Sequence, residues 1–448
     1  MLADKQSIDA GAEEKMDRRF ASWLDPGCTF VSGEAQGAYD ARVTRLTAAM
    51  RLKTEPDRVP VPLATAEGYP AHRRGLSQYD GMHDFGPAAE AFIDFTLTFQ
   101  PDAMVAPLFA TLPAKVFQSV GYELFLMPGY GVPKDAYYQF NDREWMLPEE
   151  YDSFIADPSD YLLRTYLPRI ATGLTGLSKL GTVLDPAMII SSMGFFATWA
   201  DPEVQASLER LLAAGREAQV WFGKLGEVVG RLLSEGFPPF FPNATFAPFD
   251  YLGDSLRGTK PILMDMYRRP EKVIAACDRL APLMVRWVTE KTNPDSFPGV
   301  FIPLHKGADG FMSDEQFRTF YWPSLLKVIH GLNEEGFMPV LFAEGAYGSR
   351  LEILAEDLPW AKTVWYFDRT DMARAKKTVG KVACIQGNVP LSLLHAGTPD
   401  EVTRYCRNLI ETAAPGGGFI MDVGAVMHQG NDENLGAMMQ AVLDYGVY

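Results

Sequence analysis

The sequence has few cysteines and no long apolar run, and both shortages limit what the protein can be. Four cysteines occur among 448 residues, with no CxxC spacing and no apolar leader after Met1. We therefore expect neither a disulfide framework nor export, and the cytoplasm is the expected compartment. Asp, Pro or Gly interrupts every apolar run well before the length of about 18 residues that spans a bilayer, so no membrane association is expected.

Basic charge and several catalytic motifs are also scarce. Lys and Arg number 41 against 57 Asp and Glu, which gives a net charge of -16, and no dense basic run occurs. Binding to nucleic acid is therefore not expected, because such binding depends on releasing counterions from phosphates. The sequence also contains no HExxH, no GxSxG and no Walker-type glycine loop, which argues against the enzyme classes that these motifs define.

Apolar runs of strand length are present, and segments of helical length separate most of them. Hydrophobic residues make up 47% of the chain, enough for a large folded core. Strands that alternate with helices favour a parallel sheet, and eight strands close a (β/α)8 barrel; an open doubly wound sheet is the alternative. The eight runs comprise residues 58–64, 102–109, 243–249, 298–305, 338–345, 362–368, 382–388 and 417–424.

The predicted organisation is a barrel with two additions. Residues 1–40 form an N-terminal arm, and residues 41–448 form the barrel, with a helix expected around 39–52. Residues 110–241 lie between the second and third strands and are too many for one connection, so they predict an inserted, mainly helical subdomain. Asp201 is a plausible N-cap of a long helix in this insertion, which would serve as a lid or as a platform for a partner.

Polar residues that end the apolar runs are the first candidates for a site, because the carboxyl ends of barrel strands carry the active site. Each of them could instead be a helix cap or a loop residue. The candidates are Glu67, Tyr69, Asp102, Asp250, His305, Lys306, Glu344, Asp368, Gln386, Asn388 and Asp422.

Two of these candidates and one nearby cysteine have specific chemical interpretations. Glu344 ends the apolar MPVLFA run, and a carboxylate there must be solvated, ion-paired or part of a site. His305 is either an interior histidine or a group that titrates near neutrality. Cys384 is either a small buried apolar residue or, if its thiolate faces Glu344, a zinc ligand. His83 and His428 are expected to be solvated loop residues.

Four segments of the C-terminal half together resemble the uroporphyrinogen decarboxylase superfamily. They are GFMSDEQFRTFYWPSLLKVI, VLFAEGAYGSRLEIL, VACIQGNVPLSLLHAGTPDEV and GGGFIMDVGAVMHQGNDENLGAM. The superfamily includes the decarboxylase itself and zinc-dependent methyltransferases that exchange methyl groups with corrinoid proteins. The resemblance implies a (β/α)8 barrel.

The resemblance implies roles for particular residues and also departs from the family pattern. Asp102 in DAMVAP is similar to the catalytic aspartate of the decarboxylase. The decarboxylase's arginine-rich segment is replaced by ATAEGYP and its GHG-like motif by GAVM, so the main anchors for a polycarboxylate substrate are absent. The zinc-ligand positions of the methyltransferases hold Phe342, Glu344 and Ala425, so a thiol-activating zinc site is not expected. Zinc held through Glu344 with Cys384 or His305 stays open.

The resemblance therefore implies a methyltransferase of the O-demethylase type, which moves a methyl group from a small, possibly aromatic donor to a corrinoid on a separate protein. Glu344, Asp102 and His305 are the predicted catalytic residues, one of them acting as a general acid. The predicted substrate-binding residues are Glu67, Tyr69, Asp250, Phe342, Asp368, Asn388 and Asp422, with Tyr137, Tyr138 and Trp145 of the insertion covering the substrate. Two alternatives are a carboxy-lyase that acts on a smaller acid through Asp102 and a ligand-binding barrel without catalysis. A homodimer is left open.

Overall fold

Two N-terminal helices pack against the main sheet of the protein. The structure, a computed structural model, describes residues 2–293 and 295–448. The first helix spans Leu2–Leu24 and the second Gly33–Arg51. The second begins earlier than the predicted 39–52 because the Ser32 hydroxyl accepts a hydrogen bond from the Ala35 amide at 3.1 Å and caps it. Apolar side chains of both helices form one cluster with inward-facing residues of the main sheet.

The first two predicted strands do not form regular strands, so this part of the prediction is wrong. Residues 58–64 and 102–109 are extended without a continuous ladder, and proline, which has no amide donor, recurs in and beside both runs. Single hydrogen bonds still connect them to their neighbours: the Met421 amide donates to Pro60 O at 3.0 Å, and the Asp102 amide donates to Val61 O at 2.8 Å. Three helices lie in this region: Tyr69–Arg73, Gln78–His83 and Phe85–Phe99.

Residues 110–241 are mainly helical and also contain a small sheet that the sequence did not predict. Strands β1 (Phe125–Pro128), β2 (Gly131–Val132) and β3 (Gln139–Phe140) form it in the order β2-β1-β3. Asp201 caps the longest helix through its side chain, as the sequence predicts. The helices, including short 3-10 and π turns, are Ala114–Val120, Pro148–Glu150, Tyr151–Ala156, Pro158–Tyr161, Leu162–Tyr166, Leu167–Ile170, Thr172–Lys179, Asp185–Ala187, Ile189–Thr198 and Pro202–Ser234.

A parallel sheet organises the C-terminal half and confirms the predicted α/β class. Its six strands lie side by side in chain order. The third predicted run, 243–249, is strand only at its start, because a helix begins at Pro248. The strands are β4 (Asn243–Ala244), β5 (Gly299–Leu304), β6 (Met338–Ala343), β7 (Val364–Phe367), β8 (Cys384–Gln386) and β9 (Phe419–Ile420).

Helices cover the outer face of this sheet, and the alternation of side chains along each strand separates two layers. Leu341, Trp365 and Ile385 point outward into the main core under the helices, whereas Val340 and Cys384 belong to the inner cluster. Each large apolar side chain buried this way stabilises the fold by roughly 1.5–3 kcal/mol. The helices are Pro248–Asp250, Tyr251–Arg257, Thr259–Arg268, Pro270–Thr289, Asp314–Gln316, Phe317–Tyr321, Trp322–Glu334, Gly348–Arg350, Leu351–Asp357, Met372–Lys377, Val379–Lys381, Leu391–Ala396, Pro399–Ala413 and Asp432–Tyr445.

None of the helices in the described ranges is long and apolar enough to cross a membrane.

Candidate active site

His305 and Glu344 meet where two neighbouring strands end. The register pairs Leu304 of β5 with Ala343 of β6, so the residues that follow them are neighbours. His305 Nε2 lies 3.6 Å from Glu344 Oε1, and 41% of the Glu344 side chain is exposed. The structure therefore brings together two of the three residues predicted to be catalytic.

Asp254 holds the other ring nitrogen of His305. The Nδ1 atom bonds to Asp254 Oδ2 at 2.6 Å, and the second oxygen of the same carboxylate contacts Lys306 Nζ. Burial alone would lower the pKa of His305, but the Asp254 carboxylate outweighs it and raises that pKa to about 9. At neutral pH the ring is therefore an imidazolium that can donate a proton from Nε2.

Asp250 is fully buried behind this pair and holds the backbone at the end of β5. Its carboxylate accepts hydrogen bonds from the His305 amide at 3.0 Å, the Lys306 amide at 2.9 Å and the Tyr321 hydroxyl at 2.6 Å. Burial, followed by the charge of Asp254, raises the pKa of Asp250. The structure thus gives this predicted substrate-binding residue a positioning contact to His305 instead of an open carboxylate.

The turn after Glu344 is fixed by the neighbouring strand end. Gly345 has a φ of +86°, which favours glycine, and its amide donates to Asp368 Oδ2 at 2.9 Å. Asn388 Nδ2 in turn donates to Asp368 O at 2.9 Å and to Thr370 O at 2.7 Å. Asp368 and Asn388, both predicted to bind substrate, therefore brace the rim of the site.

Burial and neighbouring charges raise the pKa of Glu344. Burial contributes most, the charge of His305 opposes the shift, and the charges of Asp250 and Asp368 add to it. The carboxyl group therefore holds a proton more strongly than an exposed glutamate does.

A second acid faces the site from the first loop. The Tyr137 hydroxyl donates to Glu67 Oε2 at 2.8 Å, and burial raises the pKa of Glu67 to about 7. The Tyr137 ring packs against Tyr138 at 4.6 Å and against His428 at 4.5 Å between ring centroids. His428 is therefore half-buried against an aromatic ring, and the prediction of a solvated loop histidine is wrong for it.

Three other aromatic side chains, one of them not predicted, occupy different positions relative to the site. Phe140 of β3 packs edge-on to His305 at 6.2 Å, so the small sheet of the insertion covers the histidine. Trp145 lies in the main core with its Nε1 donating to Asn141 O at 3.2 Å, and does not cover the site. Tyr69 is buried, and its hydroxyl donates to Asp432 Oδ1 at 2.5 Å; its role in substrate binding stays a prediction.

The floor of the site is aromatic, with a buried acid beside it. The Phe342 ring packs against Tyr366 at 4.6 Å, directly below Glu344 on the same face of β6. Asp422 is fully buried and accepts hydrogen bonds from the Ala64 amide at 3.0 Å and Gln386 Nε2 at 2.8 Å. Burial raises the pKa of Asp422 to about 7.

Asp102 is separated from the other predicted catalytic residues. It is fully buried and accepts from Arg45 Nη1 at 2.6 Å, from Arg58 Nη1 at 2.8 Å and from the Val61 amide at 2.7 Å. These donors occupy the Asp102 carboxylate. Asp102 is the first residue of the extended segment 102–109, whereas His305 and Glu344 follow the last residues of their strands. The structure therefore places Asp102 in a buried ion pair with Arg45 and Arg58, and its catalytic role stays a prediction.

The residues present do not fit a thiolate zinc site. Cys384 pairs in register with Val364, which pairs with Val340, four residues or roughly 13 Å along β6 from Glu344. Burial raises the pKa of the Cys384 thiol, which disfavours the thiolate. Phe342 and Ala425 offer no ligand atom. Within residues 2–293 and 295–448, no group of three or more His, Cys, Asp or Glu side chains could hold a metal ion.

Sequence reasoning missed Asp254, although a signal for it existed. Asp250 and Asp254 are four residues apart in FDYLGD, so on a helix they share a face. Because residues 243–249 resembled a strand, the helix that follows Pro248 was not expected to turn both carboxylates toward His305.

Comparison with known sequences shows which family the C-terminal half is similar to. The sequence model of the uroporphyrinogen decarboxylase (URO-D) family matches residues 244–445. These residues are similar to the URO-D family. They include Asp254, His305 and Glu344, and the match confirms the resemblance that the sequence motifs indicated.

Individual known proteins are similar to the chain. The chain is 24% identical over 208 residues to uroporphyrinogen decarboxylase of Saccharophagus degradans and 27% identical over 209 residues to that of Klebsiella pneumoniae. Each alignment covers 44% of this chain and 55% of the relative, so the chain spans about half the length of the curated relatives it matches. A methyltransferase from Methanosarcina mazei matches 90% of this chain and 98% of its own at 16% identity, with a TM-score of 0.47.

Proposed function

We propose that the protein transfers a methyl group from a small O-methyl compound, aromatic in the simplest case, to a corrinoid carried by a separate protein. The observation that carries the proposal is the position of His305, whose Nδ1 bonds to Asp254 and whose Nε2 faces Glu344 at the mouth of the site. The corrinoid would supply a cobalt that accepts the methyl group. As the carbon–oxygen bond breaks, its electron pair stays on the oxygen, which takes the proton from His305 Nε2.

The charge of the site favours a neutral donor over a polycarboxylate. Glu67, Glu344 and Asp368 face or border the site, whereas His305 and Lys306 are both bonded to Asp254. A substrate with several carboxylates would meet acidic side chains and would find no free arginine clamp among these residues.

Aromatic side chains support a flat donor. Tyr137 and Phe140 of the insertion approach Glu67 and His305 from above, and Phe342 lies below Glu344. An aromatic ring between such faces gains contact and excludes water from the reacting bond. We propose that residues 110–241 serve as this cover and that residues 1–40 serve as a base.

We also propose that the irregular segments 58–64 and 102–109 complete a ring of eight segments with the six parallel strands. The bonds from Met421 to Pro60 and from Asp102 to Val61 support this, together with a bond from the Met104 amide to Pro238 O at 2.8 Å. A (β/α)8 barrel would place His305 and Glu344 at its carboxyl end, where such sites form.

A carboxy-lyase is the second candidate, and one observation favours it. Asp422 is a buried acid whose pKa is raised to about 7, and such a group could protonate the carbanion that remains after a carboxylate leaves. This function would release carbon dioxide and would need no corrinoid.

One experiment separates the two candidates. The purified protein is mixed with cob(I)alamin and a panel of aryl methyl ethers and other methyl donors, the cobalt absorbance is followed, and evolved carbon dioxide is collected. We expect conversion to methylcobalamin with an equal amount of the demethylated alcohol. Carbon dioxide release from a small acid without methyl transfer would replace the proposal with the second candidate, and binding without any turnover would leave a ligand-binding barrel.

A further inference from the structure

One carboxyl group and three rings come together at one corner of the candidate active site. The Tyr137 hydroxyl donates to Glu67 Oε2 at 2.8 Å, and the Tyr137 ring centroid lies 4.6 Å from that of Tyr138 and 4.5 Å from that of His428. All four residues are half-buried, so each keeps some surface open to the space around it. We name this set the Glu67 corner.

Backbone contacts hold the Glu67 corner together. The amides of Gly68 and Tyr69 both donate to Met427 O at 3.0 Å, which ties the loop that carries Glu67 to the loop that carries His428. An added Cβ at Gly68 would overlap His428 Nδ1, so glycine at this position lets the imidazole approach the loop. The carboxyl group and the rings are therefore fixed by the packing of two loops as well as by their own contacts.

The electrostatics of the Glu67 corner favour a ligand with a positive charge. Burial raises the pKa of Glu67 to about 7, and the charge of Glu344 adds to the rise. Burial lowers the pKa of His428, so that ring is neutral at pH 7. His305 and Lys306, the nearby cations, are both bonded to another carboxylate. A carboxyl group that is costly to ionise under these conditions gains a partner when a cationic ligand binds.

The rings of the Glu67 corner favour the same sign of charge. The face of an aromatic ring carries negative potential and attracts a cation that lies within about 6 Å of its centre. Tyr137 contacts two further rings and a carboxyl group at once. Rings beside a carboxylate are a combination with which proteins bind ammonium groups, whereas both would repel an anion.

We infer that the methyl donor carries, besides its neutral methyl ether, a protonated amine that binds at the Glu67 corner. An N–H group of the amine donates to Glu67, and the rings of Tyr137 and Tyr138 contact the cation. The two ends of the donor then contact different residues, the ether oxygen His305 and the ammonium group Glu67. This inference rests on the proposed function, because it names the class of donor for the same site.

Calorimetric titration of the protein without a corrinoid tests the inference. The ligands are para-methoxyphenethylammonium and para-methoxyphenethyl alcohol, which share the ring and the ether and differ in charge. We expect the ammonium compound to bind at least about tenfold more tightly, because it alone forms a charged hydrogen bond. Glu67→Gln should bind both compounds equally. The control Glu34→Gln, which removes the same charge at an exposed position of the second helix, should keep the wild-type preference.

A second measurement depends on no variant. Because Glu67 is about half protonated at pH 7, binding of the ammonium compound should release about half a proton, which titrations in two buffers of different ionisation enthalpy measure. The alcohol should release none.

Three results would overturn the inference: equal affinity of the wild type for the two compounds, a preference that survives Glu67→Gln, and binding of the ammonium compound without proton release. Preferential binding of the ammonium compound without later methyl transfer to cob(I)alamin would overturn the proposed function and leave the ammonium site in place. Methyl transfer from the alcohol, with no preference for the ammonium compound, would do the reverse.

Discussion

His305 Nε2 lies 3.6 Å from Glu344 Oε1, while Asp254 Oδ2 holds the opposite ring nitrogen at 2.6 Å. The contact to Asp254 is a short charged hydrogen bond, whereas the contact to Glu344 is longer than a good one. The Nε2 proton is therefore oriented toward the open side of the site and is only weakly engaged, which is the arrangement that a proton donor needs.

Replacing His305 should slow the chemical step without unfolding the protein. For His305→Asn we expect a loss of about 10²–10⁴ in kcat, since this is the usual contribution of a general acid. The loss should be smaller for donors whose leaving oxygen needs little protonation, such as a nitrophenyl methyl ether. Exposed His83, changed to Asn, is the control and should keep full activity. An equal loss for good and poor leaving groups would argue against proton donation.

The pH dependence of kcat should follow the His305 proton. The folded-state pKa of about 9 is raised above the ordinary 6.5, so the imidazolium persists below about pH 9 and the rate should fall above it. The same group stabilises the fold fully below pH 6.5 and loses that contribution as pH rises through 9. Asp254→Asn should move the alkaline limb toward lower pH. An alkaline limb that does not move would show that the His305 proton does not control kcat.

Asp102 should be important for stability and not for turnover. Removing one partner of a buried ion pair typically costs about 3–5 kcal/mol, and Asp102 is fully buried between Arg45 and Arg58. Urea unfolding of Asp102→Ala should show that loss, while kcat per folded molecule stays near the wild-type value. Asp57→Ala is the control, because Asp57 also pairs with Arg45 but its side chain is 62% exposed; its effect should stay below about 1 kcal/mol. A selective fall in kcat for Asp102→Ala would restore the catalytic role that the sequence indicated.

Asp422 should make the fold less stable as the solution becomes less acidic. Its pKa is raised from 3.8 to about 7, so its neutral form favours the folded state below pH 3.8, and this contribution is lost as pH rises through 7. The change approaches on the order of 4 kcal/mol for a shift of this size. Asp422→Asn should flatten the corresponding part of the curve of unfolding free energy against pH. Glu67, whose pKa is also about 7, should contribute to the remaining slope, which becomes smaller in the variant that also carries Glu67→Gln.

Part of the site was predictable from the sequence because strand ends in a parallel sheet converge. His305 and Glu344 follow clear apolar runs, and the register brings them together. Asp254 was not predictable, because the helix that carries it begins inside a run that resembled a strand. The ion pair of Asp102 was not predictable either, because only tertiary packing shows that Arg45, from a helix far earlier in the chain, occupies its carboxylate.

The strands, too, divide into those that the sequence predicts and those that it does not. Strands β5 to β9 come from apolar runs that one-dimensional patterning identifies, whereas residues 58–64 and 102–109 are apolar and extended but contain prolines that prevent a regular ladder. The small sheet β1 to β3 has strands of two to four residues, too short for any alternation to be recognised.

A single-turnover measurement shows whether His305 assists the transfer of a methyl group to cobalt. An aryl ether with a ¹³C-labelled methyl group is mixed with excess protein and cob(I)alamin, and the label is followed by NMR in the wild type and in His305→Asn. We expect the label to pass to cobalt in the wild type, with one phenol released for each methyl group, and His305→Asn to slow this step by at least about 10². Labelled methyl that stays on the ether in the wild type, or that transfers equally fast in His305→Asn, would contradict this expectation.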